Sequence, residues 1–154
     1  MRTFAWIAAA ALAGCGYSAG GLIEHESVFL PTFDNLDERR TFEFDLTRAV
    51  GRELAARGVR VNAPDAPIEL RGKILKITEP TLVENPGDVP IVGSVSFKIE
   101  VALVSRSTGR ELSKKEREET ASFSSGRFET RETARQEVIK KLASWVVTLV
   151  EKDW

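Results

Sequence analysis

Two side chains of this protein are reactive enough to suggest a chemical site, and each type occurs once. Cys15 is the only cysteine and His25 is the only histidine. His25 lies between Glu24 and Glu26, but one imidazole in a flexible segment makes a poor metal site. The sequence contains no glycine-rich phosphate loop after a strand and no nucleophile elbow. It therefore predicts no enzyme, no cofactor and no metal site, and it leaves Cys15 as the residue to explain.

Cys15 follows a short leader of the kind found in exported proteins. Arg2 gives the leader a positive start, residues 4–12 form an apolar run, and Leu12-Ala13-Gly14 precedes the cysteine. The run is shorter than the roughly 20 apolar residues that span a bilayer. An ordinary secreted protein with a chance cysteine would also fit, as would, less readily, a cytoplasmic protein with an apolar first helix.

The Leu12-Ala13-Gly14-Cys15 pattern resembles the lipobox of bacterial lipoproteins. The resemblance implies that residues 1–14 are a signal peptide that is removed, and that Cys15 carries acyl chains such as palmitate. Two or more acyl chains make a stable membrane anchor. Residues 15–26 then form a lipidated tether. Because Gly16 rather than aspartate follows the cysteine, sorting rules favour the outer membrane, with the protein on its periplasmic face.

The chain that remains after cleavage is close to electrically neutral. Without Arg2 the 22 basic residues become 21, against 23 acidic residues, so the formal charge is −2. A nucleic-acid-binding protein would need a basic footprint, so the composition argues against nucleic acid as a partner. No second apolar run approaches transmembrane length. Residues 15–154 are few enough to fit one domain.

Hydrophobic periodicity predicts two helices and four strands. Helical segments repeat apolar residues every three or four positions, whereas strand segments alternate apolar and polar residues. The predicted elements are a strand at 27–31, a helix at 41–57, strands at 67–77, 95–103 and 112–123, and a helix at 130–151. Residues 78–94 contain several prolines and glycines and are predicted to be a loop without structure of its own.

The order β-α-β-β-β-α predicts an α/β, two-layer sandwich for residues 27–154. Two helices pack on one face of a four-stranded mixed sheet, because the second and third strands are polar on their other face. Gly72 falls on the apolar side of its strand, where a helix could pack closely. The first strand and its crossover helix should lead to a parallel neighbour.

The last helix is apolar over a wide arc. One stripe consists of Val138, Leu142, Trp145, Val146 and Leu149, and a second consists of Ile139, Ala143, Val147 and Val150. Together the stripes cover roughly 200°, although packing on one sheet needs little more than about 100°. Either the first helix covers the second stripe or something outside the domain does. The second possibility makes Val147 and Val150 candidates for contact with a partner.

Several basic residues fall on the polar side of the predicted sheet. Lys73 lies on the second strand, Lys98 on the third, and Arg127 at the turn into the last helix. Converging cations bind anionic ligands. These residues therefore form either a solvated charged surface, together with nearby glutamates, or a patch that contacts phosphorylated lipid.

Three stretches of this sequence resemble the LptE family, the lipoproteins of lipopolysaccharide assembly. They are Cys15-Gly16-Tyr17, Asp45-Leu46-Thr47-Arg48-Ala49-Val50, and the segment from Leu54 to Arg57-Gly58-Val59. The resemblance implies a lipoprotein that seats inside the outer-membrane β-barrel LptD, helps the barrel assemble and binds lipopolysaccharide, without enzymatic activity. It also makes Arg127 a lipopolysaccharide-binding candidate beside Lys73 and Lys98.

A second resemblance covers only residues 28–36. This Val-Phe-Leu-Pro-Thr-Phe-Asp-Asn-Leu run is similar to the opening strand of lipoproteins such as LpoB and CsgG. It implies activation of a peptidoglycan synthase or the building of a secretion assembly. The sequence leaves this alternative open.

Overall fold

The computed structural model describes residues 26–39, 42–84 and 90–151. The predicted signal peptide at 1–14, Cys15 and His25 lie outside these ranges. The described elements are β1 Ser27–Phe29, β2 Asp34–Asn35, α1 Phe42–Ala56, β3 Arg60–Val61, β4 Ile68–Thr78, β5 Thr81–Glu84, β6 Pro90–Ser105, β7 Glu111–Ser124, a short 3-10 turn Ser125–Arg127, and α2 Arg131–Glu151.

The seven described strands belong to one mixed sheet. Strand β1 pairs in parallel with β4, whereas β4 pairs antiparallel with β6, and β6 antiparallel with β7. The predicted mixed sheet with a parallel first pair is confirmed. The predicted number of strands, four, is wrong, because β2, β3 and β5 join the same sheet. Strands β2 and β3 are two residues long each. They are too short to show any alternation, and they form because their neighbours offer free backbone groups.

The segment 78–94, predicted to be an unstructured loop, instead contributes two strands to the sheet. Strand β5 pairs with the beginning of β6, with Thr81 opposite Gly93 and Val83 opposite Val92. Pro90 is the first residue of β6, a position where the missing N–H is tolerated. Pro80 directly precedes β5 and Pro90 begins β6, so these two prolines lie at strand boundaries, which is why they resemble loop signals.

Both helices pack on one face of the sheet, as predicted. Ile68, Leu70 and Ile74 of β4 are buried on this face and alternate with more exposed residues. Gly72 lies in the same row, and a Cβ at this position would come within 2.2 Å of the Phe33 ring. An aromatic ring, rather than the predicted helix, therefore requires a glycine at residue 72.

Helix α1 agrees with the prediction to within one residue at each end. Gly58, at φ +84°, terminates the helix, and the Val59 N–H donates to the Leu54 carbonyl at 3.0 Å. This is the usual left-handed glycine cap. The Phe33 N–H donates to Thr47 Oγ1 at 2.9 Å and ties α1 to the ring that covers Gly72. The buried apolar residues of the helix are Leu46, Ala49, Val50 and Leu54.

Helix α2 begins with a reciprocal cap between two threonines, Thr130 and Thr133. The Thr133 N–H donates to Thr130 Oγ1 at 3.1 Å, and the Thr130 N–H donates to Thr133 Oγ1 at 2.8 Å. Each side chain satisfies a backbone donor that the first helical turn leaves unpaired. The helix then runs along β6 and β7 and beside α1.

The second apolar stripe of α2 is covered from within the domain. Val147 is 0% exposed and Val150 is 1% exposed, and both belong to the hydrophobic core. Ala49 of α1 lies beside Ile139 and Ala143, which are in the same stripe. The expectation that Val147 and Val150 contact a partner is corrected by this burial. Helix α1 accounts for the wide apolar arc.

One buried carboxylate, that of Glu79, joins the end of β4 to the start of both helices. Only 6% of its side chain is exposed, and Arg135 donates hydrogen bonds to its two oxygens at 2.6 and 3.0 Å. Arg39 and Arg131 lie 3.8 and 4.0 Å from Oε2. Burial by itself raises the pKa of Glu79, but the hydrogen bonds and charges of the arginines outweigh it and lower the pKa below its usual value.

Replacing Glu79 with Gln keeps the size of the side chain and removes its charge. We expect Glu79→Gln to lower the free energy of unfolding by about 2 kcal/mol at pH 7, because the paired arginines lose their counter-charge. Urea denaturation followed by circular dichroism measures this loss. The pKa of Glu79 is lower in the folded than in the unfolded chain. The stability difference between the two proteins should therefore be complete above the unfolded-state pKa and disappear as the pH falls through the folded-state pKa.

Glu132→Gln is the matched control for this measurement. Glu132 also pairs with Arg135, at 3.3 Å, but its side chain is 62% exposed. We expect a loss of less than about 0.5 kcal/mol, because water screens the pair. Equal losses in the two variants, or a difference at Glu79 that does not change with pH, would contradict the role given to the buried carboxylate.

Candidate functional site

The face of the sheet that points away from the helices carries rows of opposite charges. Lys98 of β6 pairs with Glu116 of β7 at 2.8 Å, and Lys114 of β7 pairs with Glu100 of β6 at 2.8 Å. The hydrogen bond to Glu116 and its negative charge raise the pKa of Lys98 above its ordinary value. Along β6 and β7, the positive and negative charges on the open face largely cancel each other.

A β-bulge in β4 changes the charge balance on this open face. The register shifts between Ile74 and Lys76, so Leu75 is the extra residue and Lys76 stands opposite Lys98. Without the extra residue, Lys76 would point to the helical face. The alternation in the sequence placed Lys73 on the open face but missed Lys76, since a strict period of two cannot contain a bulge. The two adjacent apolar residues Ile74 and Leu75 interrupt the alternation, and this interruption is the sign of the bulge in the sequence.

Lys73, Lys76 and Lys98 together form what we call the lysine cluster. Cross-strand and diagonal neighbours on one face lie within about 5 to 8 Å of each other, and like charges at these positions repel. Asp34 and Glu100 stand opposite Lys73 on its two sides, and Glu116 pairs with Lys98. Lys76 forms no ion pair with any described residue, and Asp37 is its nearby counter-charge. The cluster can therefore accept an anionic group that relieves the repulsion.

Arg127, the third candidate from the sequence, lies apart from the lysine cluster. It ends the 3-10 turn that follows Ser124, and its guanidinium is 3.2 Å from Glu129. Ser124 pairs with Val92, which is six residues from Lys98 along β6, or roughly 20 Å. The structure brings Lys73 and Lys98 together and leaves Arg127 at the end of the sheet.

The end of the sheet that carries Arg127 also exposes large apolar side chains. Phe128 follows Arg127 directly and is 96% exposed, and Leu82 of β5 is 66% exposed. Val83, the neighbour of Leu82, is also exposed. Val83 pairs with Val92 of β6, and Val92 pairs on its other side with Ser124 of β7. We call Leu82, Val83 and Phe128 the apolar tip. Sequence analysis did not single out any of its three residues.

A groove of about 540 Å³ lies between β7 and α2, with Trp145 in its wall. Four of its charged side chains form pairs: Arg117 pairs with Glu119 at 2.6 Å, and Lys141 pairs with Glu137 at 2.7 Å. Arg117 also lies 6.0 Å from the centre of the Trp145 ring. Lys140 lines the groove as well, so the wall carries charges of both signs rather than a convergent set of one sign.

The described residues contain no arrangement typical of a catalytic or metal site. Within them, no group of three or more His, Cys, Asp or Glu side chains is placed to hold a metal ion. Every buried side-chain nitrogen or oxygen in the same part of the chain has a hydrogen-bond partner. No helix in the described ranges is both long and apolar enough to cross a membrane. The lysine cluster and the apolar tip are the features that remain for binding.

Known structures share this fold at low sequence identity. A protein from Xanthomonas campestris has a TM-score of 0.63 at 12% identity, over 87% of this chain and 89% of its own. The PelC dodecamer from Paraburkholderia phytofirmans has a TM-score of 0.59 at 14% identity, over 87% and 93%. A minor lipoprotein from Acinetobacter baumannii has a TM-score of 0.54 at 13% identity, over 82% and 90%. At these identities the likeness concerns the fold alone.

Sequence comparison is more specific than the structural likeness. No curated protein sequence matches the chain. The family described as "LptE: Lipopolysaccharide-assembly" matches residues 26–148, which include nearly all of the described elements. The family predicted from the three short stretches is thereby confirmed over most of the chain. The protein belongs to the LptE family of lipopolysaccharide-assembly proteins.

Proposed function

We propose that this protein is a lipid-anchored outer-membrane component that seats in an LptD-type β-barrel, helps the barrel assemble and takes part in lipopolysaccharide transport to the cell surface. The match to the lipopolysaccharide-assembly family over residues 26–148 carries the proposal. It includes most of both layers of the sandwich, so the whole domain supports the assignment. The role is one of binding and assembly and requires no catalytic group.

The anchor in this proposal is Cys15, acylated after removal of residues 1–14. The tether of residues 15–26 ends where β1 begins, at Ser27. Twelve residues in extended conformation reach at most about 40 Å. The domain can therefore stay attached to the periplasmic face of the outer membrane and still enter the mouth of a barrel.

The open face of the sheet suits the inside of such a barrel. The lumen of an outer-membrane barrel is polar and water-filled. The open face presents ion pairs such as Lys98–Glu116 and Lys114–Glu100 rather than apolar side chains. A domain with this surface can occupy the lumen while its apolar core stays buried between the sheet and the helices.

Lipopolysaccharide carries phosphate groups, and the lysine cluster provides a complementary charge. Phosphate oxygens accept strong hydrogen bonds from ammonium groups. Lys73, Lys76 and Lys98 share one face and repel each other in the absence of an anion. A phosphate bound there is stabilised by all three charges. Arg127 remains a separate candidate at the end of the sheet.

Affinity purification of the lipidated protein from its own cells tests the partner. We expect an LptD-type β-barrel to copurify in a stable complex, because the proposed contact covers much of the domain. Retention of a peptidoglycan synthase or of a secretion assembly, with no large β-barrel, would contradict the proposal and favour the LpoB-like or CsgG-like alternative.

A charge reversal in the lysine cluster tests the ligand site. We expect Lys73→Glu with Lys76→Glu to weaken binding of purified lipopolysaccharide about tenfold, because two attractive charges become repulsive. Binding is measured by surface plasmon resonance, and the difference should shrink at high salt. Thermal melting of both proteins shows whether the sheet remains folded.

Lys140→Glu with Lys141→Glu is the matched control, because it makes the same change in charge on the exposed side of α2. We expect this control to bind lipopolysaccharide as the unsubstituted chain does. Equal weakening in the two double variants would mean that net charge, rather than the cluster, governs binding. Arg127→Glu examines the distant candidate separately, and loss of binding in that variant alone would move the site to the end of the sheet.

A further inference from the structure

Phe128 has a backbone conformation that its side chain does not favour. It caps the 3-10 turn in the left-handed region, at φ 59° and ψ 20°, and its N–H donates to the Ser125 carbonyl at 3.0 Å. The other described residues with positive φ are Gly58, Gly109 and Asn62. Glycine and asparagine adopt this region readily, whereas for a bulky residue it is a true outlier.

No packing within the described part of the chain explains a phenylalanine at this position. The Phe128 side chain is 96% exposed, so its ring does not contribute to the core. Asn62 differs in this respect, because its side-chain oxygen accepts the Leu30 N–H at 2.8 Å and so helps to hold the fold. Phe128 combines a backbone cost with an exposed aromatic ring, and both would disappear if the residue were glycine. A strained residue of this kind indicates a function outside the domain's own stability.

The remaining residues of the apolar tip lie at the same end of the sheet. Val83 of β5 pairs with Val92 of β6, and Val92 pairs with Ser124 of β7. Two strand spacings, or about 10 Å, separate Val83 from the strand that leads to Phe128. Leu82 adds a third large apolar side chain to this end, so the tip presents more than one isolated ring.

Basic side chains lie next to the apolar tip. Arg127 precedes Phe128 and Arg131 follows it by three residues, at the start of α2. Glu129, which lies between them, accepts the Ser124 N–H at 3.0 Å and pairs with Arg127 at 3.2 Å, and Arg131 lies 4.0 Å from Glu79. The side chains of Arg127 and Arg131 nevertheless remain 69% and 38% exposed, so both can contact a surface outside the domain. A surface that complements the tip would be an apolar pocket with acidic groups on its rim.

The fixed geometry of Phe128 favours a protein pocket over a lipid surface. A lipid surface accepts an aromatic ring in almost any orientation, so it gives no advantage to a strained backbone. A protein pocket has a fixed shape, and a ring held in place before binding loses less conformational freedom on docking. Aromatic residues, including phenylalanine, and arginine are enriched at the cores of protein interfaces.

We propose that the apolar tip, with Phe128 at its centre, docks into an apolar pocket with an acidic rim on the β-barrel partner. This inference rests on the proposed function for the identity of the partner. It places the contact at the end of the sheet beside the start of α2, on residues that the fold leaves exposed.

Phe128→Gly and Phe128→Asn test the proposal in the full-length lipidated protein expressed together with the β-barrel. Both replacements suit the left-handed conformation, so we expect neither to lower the melting temperature of the protein. We expect each to weaken the complex with the barrel about 30-fold, the loss typical of a hot-spot aromatic residue. Phe44→Ala is the matched control, because Phe44 is 55% exposed on α1, and it should leave the complex unchanged.

A photo-crosslinking phenylalanine analogue at position 128 identifies the occupant directly. The expected adduct in living cells is with the β-barrel, whereas an adduct with lipid alone would overturn the protein pocket. Equal capture of the barrel by the Phe128→Gly protein and the unsubstituted protein would overturn the docking site but not the proposed function. Absence of any barrel from the unsubstituted protein would overturn the proposed function and the partner named here. A drop of about 5 °C or more in the melting temperature of both Phe128 variants would assign the residue to the fold instead.

Discussion

The bidentate ion pair between Glu79 and Arg135 sets the relation between the two layers of this protein. Glu79 lies where β4 gives way to β5, and Arg135 lies one turn into α2. Arg135 also stacks on Phe42 at the start of α1, 5.1 Å from the ring centre, and Phe42 packs edge-on against Phe97 of β6. A single buried carboxylate therefore holds the beginnings of both helices against the sheet. Removing its charge would leave Arg135, whose side chain is only 25% exposed, without its principal counter-charge.

The same constraint determines where the exposed groups lie. Because the start of α2 is fixed at Glu79, the chain must turn sharply between the end of β7 and Arg131. That turn uses the left-handed conformation of Phe128 and places its ring in solvent. The apolar core is sealed elsewhere by α1, which covers the second stripe of α2. As a result, binding features remain in two places: the lysine cluster on the open face and the apolar tip at the end of the sheet.

Much of the fold could be predicted because its main elements are long and periodic. The two helices and strands β4 and β6 bury regular rows of side chains, and alternation or helical spacing identifies such rows. Strand β7 buries only Ala121 and Phe123. Strands β2 and β3 could not be predicted, since two residues carry no period. The bulge at Leu75 could not be predicted either, because a strict period of two contains no extra residue. The orientation of Lys76, which follows the bulge, was therefore missed as well. Phe128 gave no signal, because left-handed turns are recognised in a sequence by glycine or asparagine.

The site was accessible to sequence reasoning only where a side chain's direction follows from its place in a regular strand. Lys73 and Lys98 satisfy that condition and lie on one face, as expected from their strands. For Val147 and Val150, the sequence pattern alone did not predict whether a partner or the domain itself covers the side chains. The width of an apolar arc says how much surface must be covered, but only the packing of α1 shows what covers it. The proposed membrane anchor at Cys15 rests on the lipobox pattern in the sequence alone.

The central claim is that this protein acts in the delivery of lipopolysaccharide to the outer surface of the cell. The most direct measurement is the fraction of newly made lipopolysaccharide that a non-permeant probe can reach while the protein is depleted. We expect this fraction to fall as the protein disappears and to recover when the protein is expressed again. An unchanged fraction of surface lipopolysaccharide, together with a change in peptidoglycan cross-linking, would contradict it.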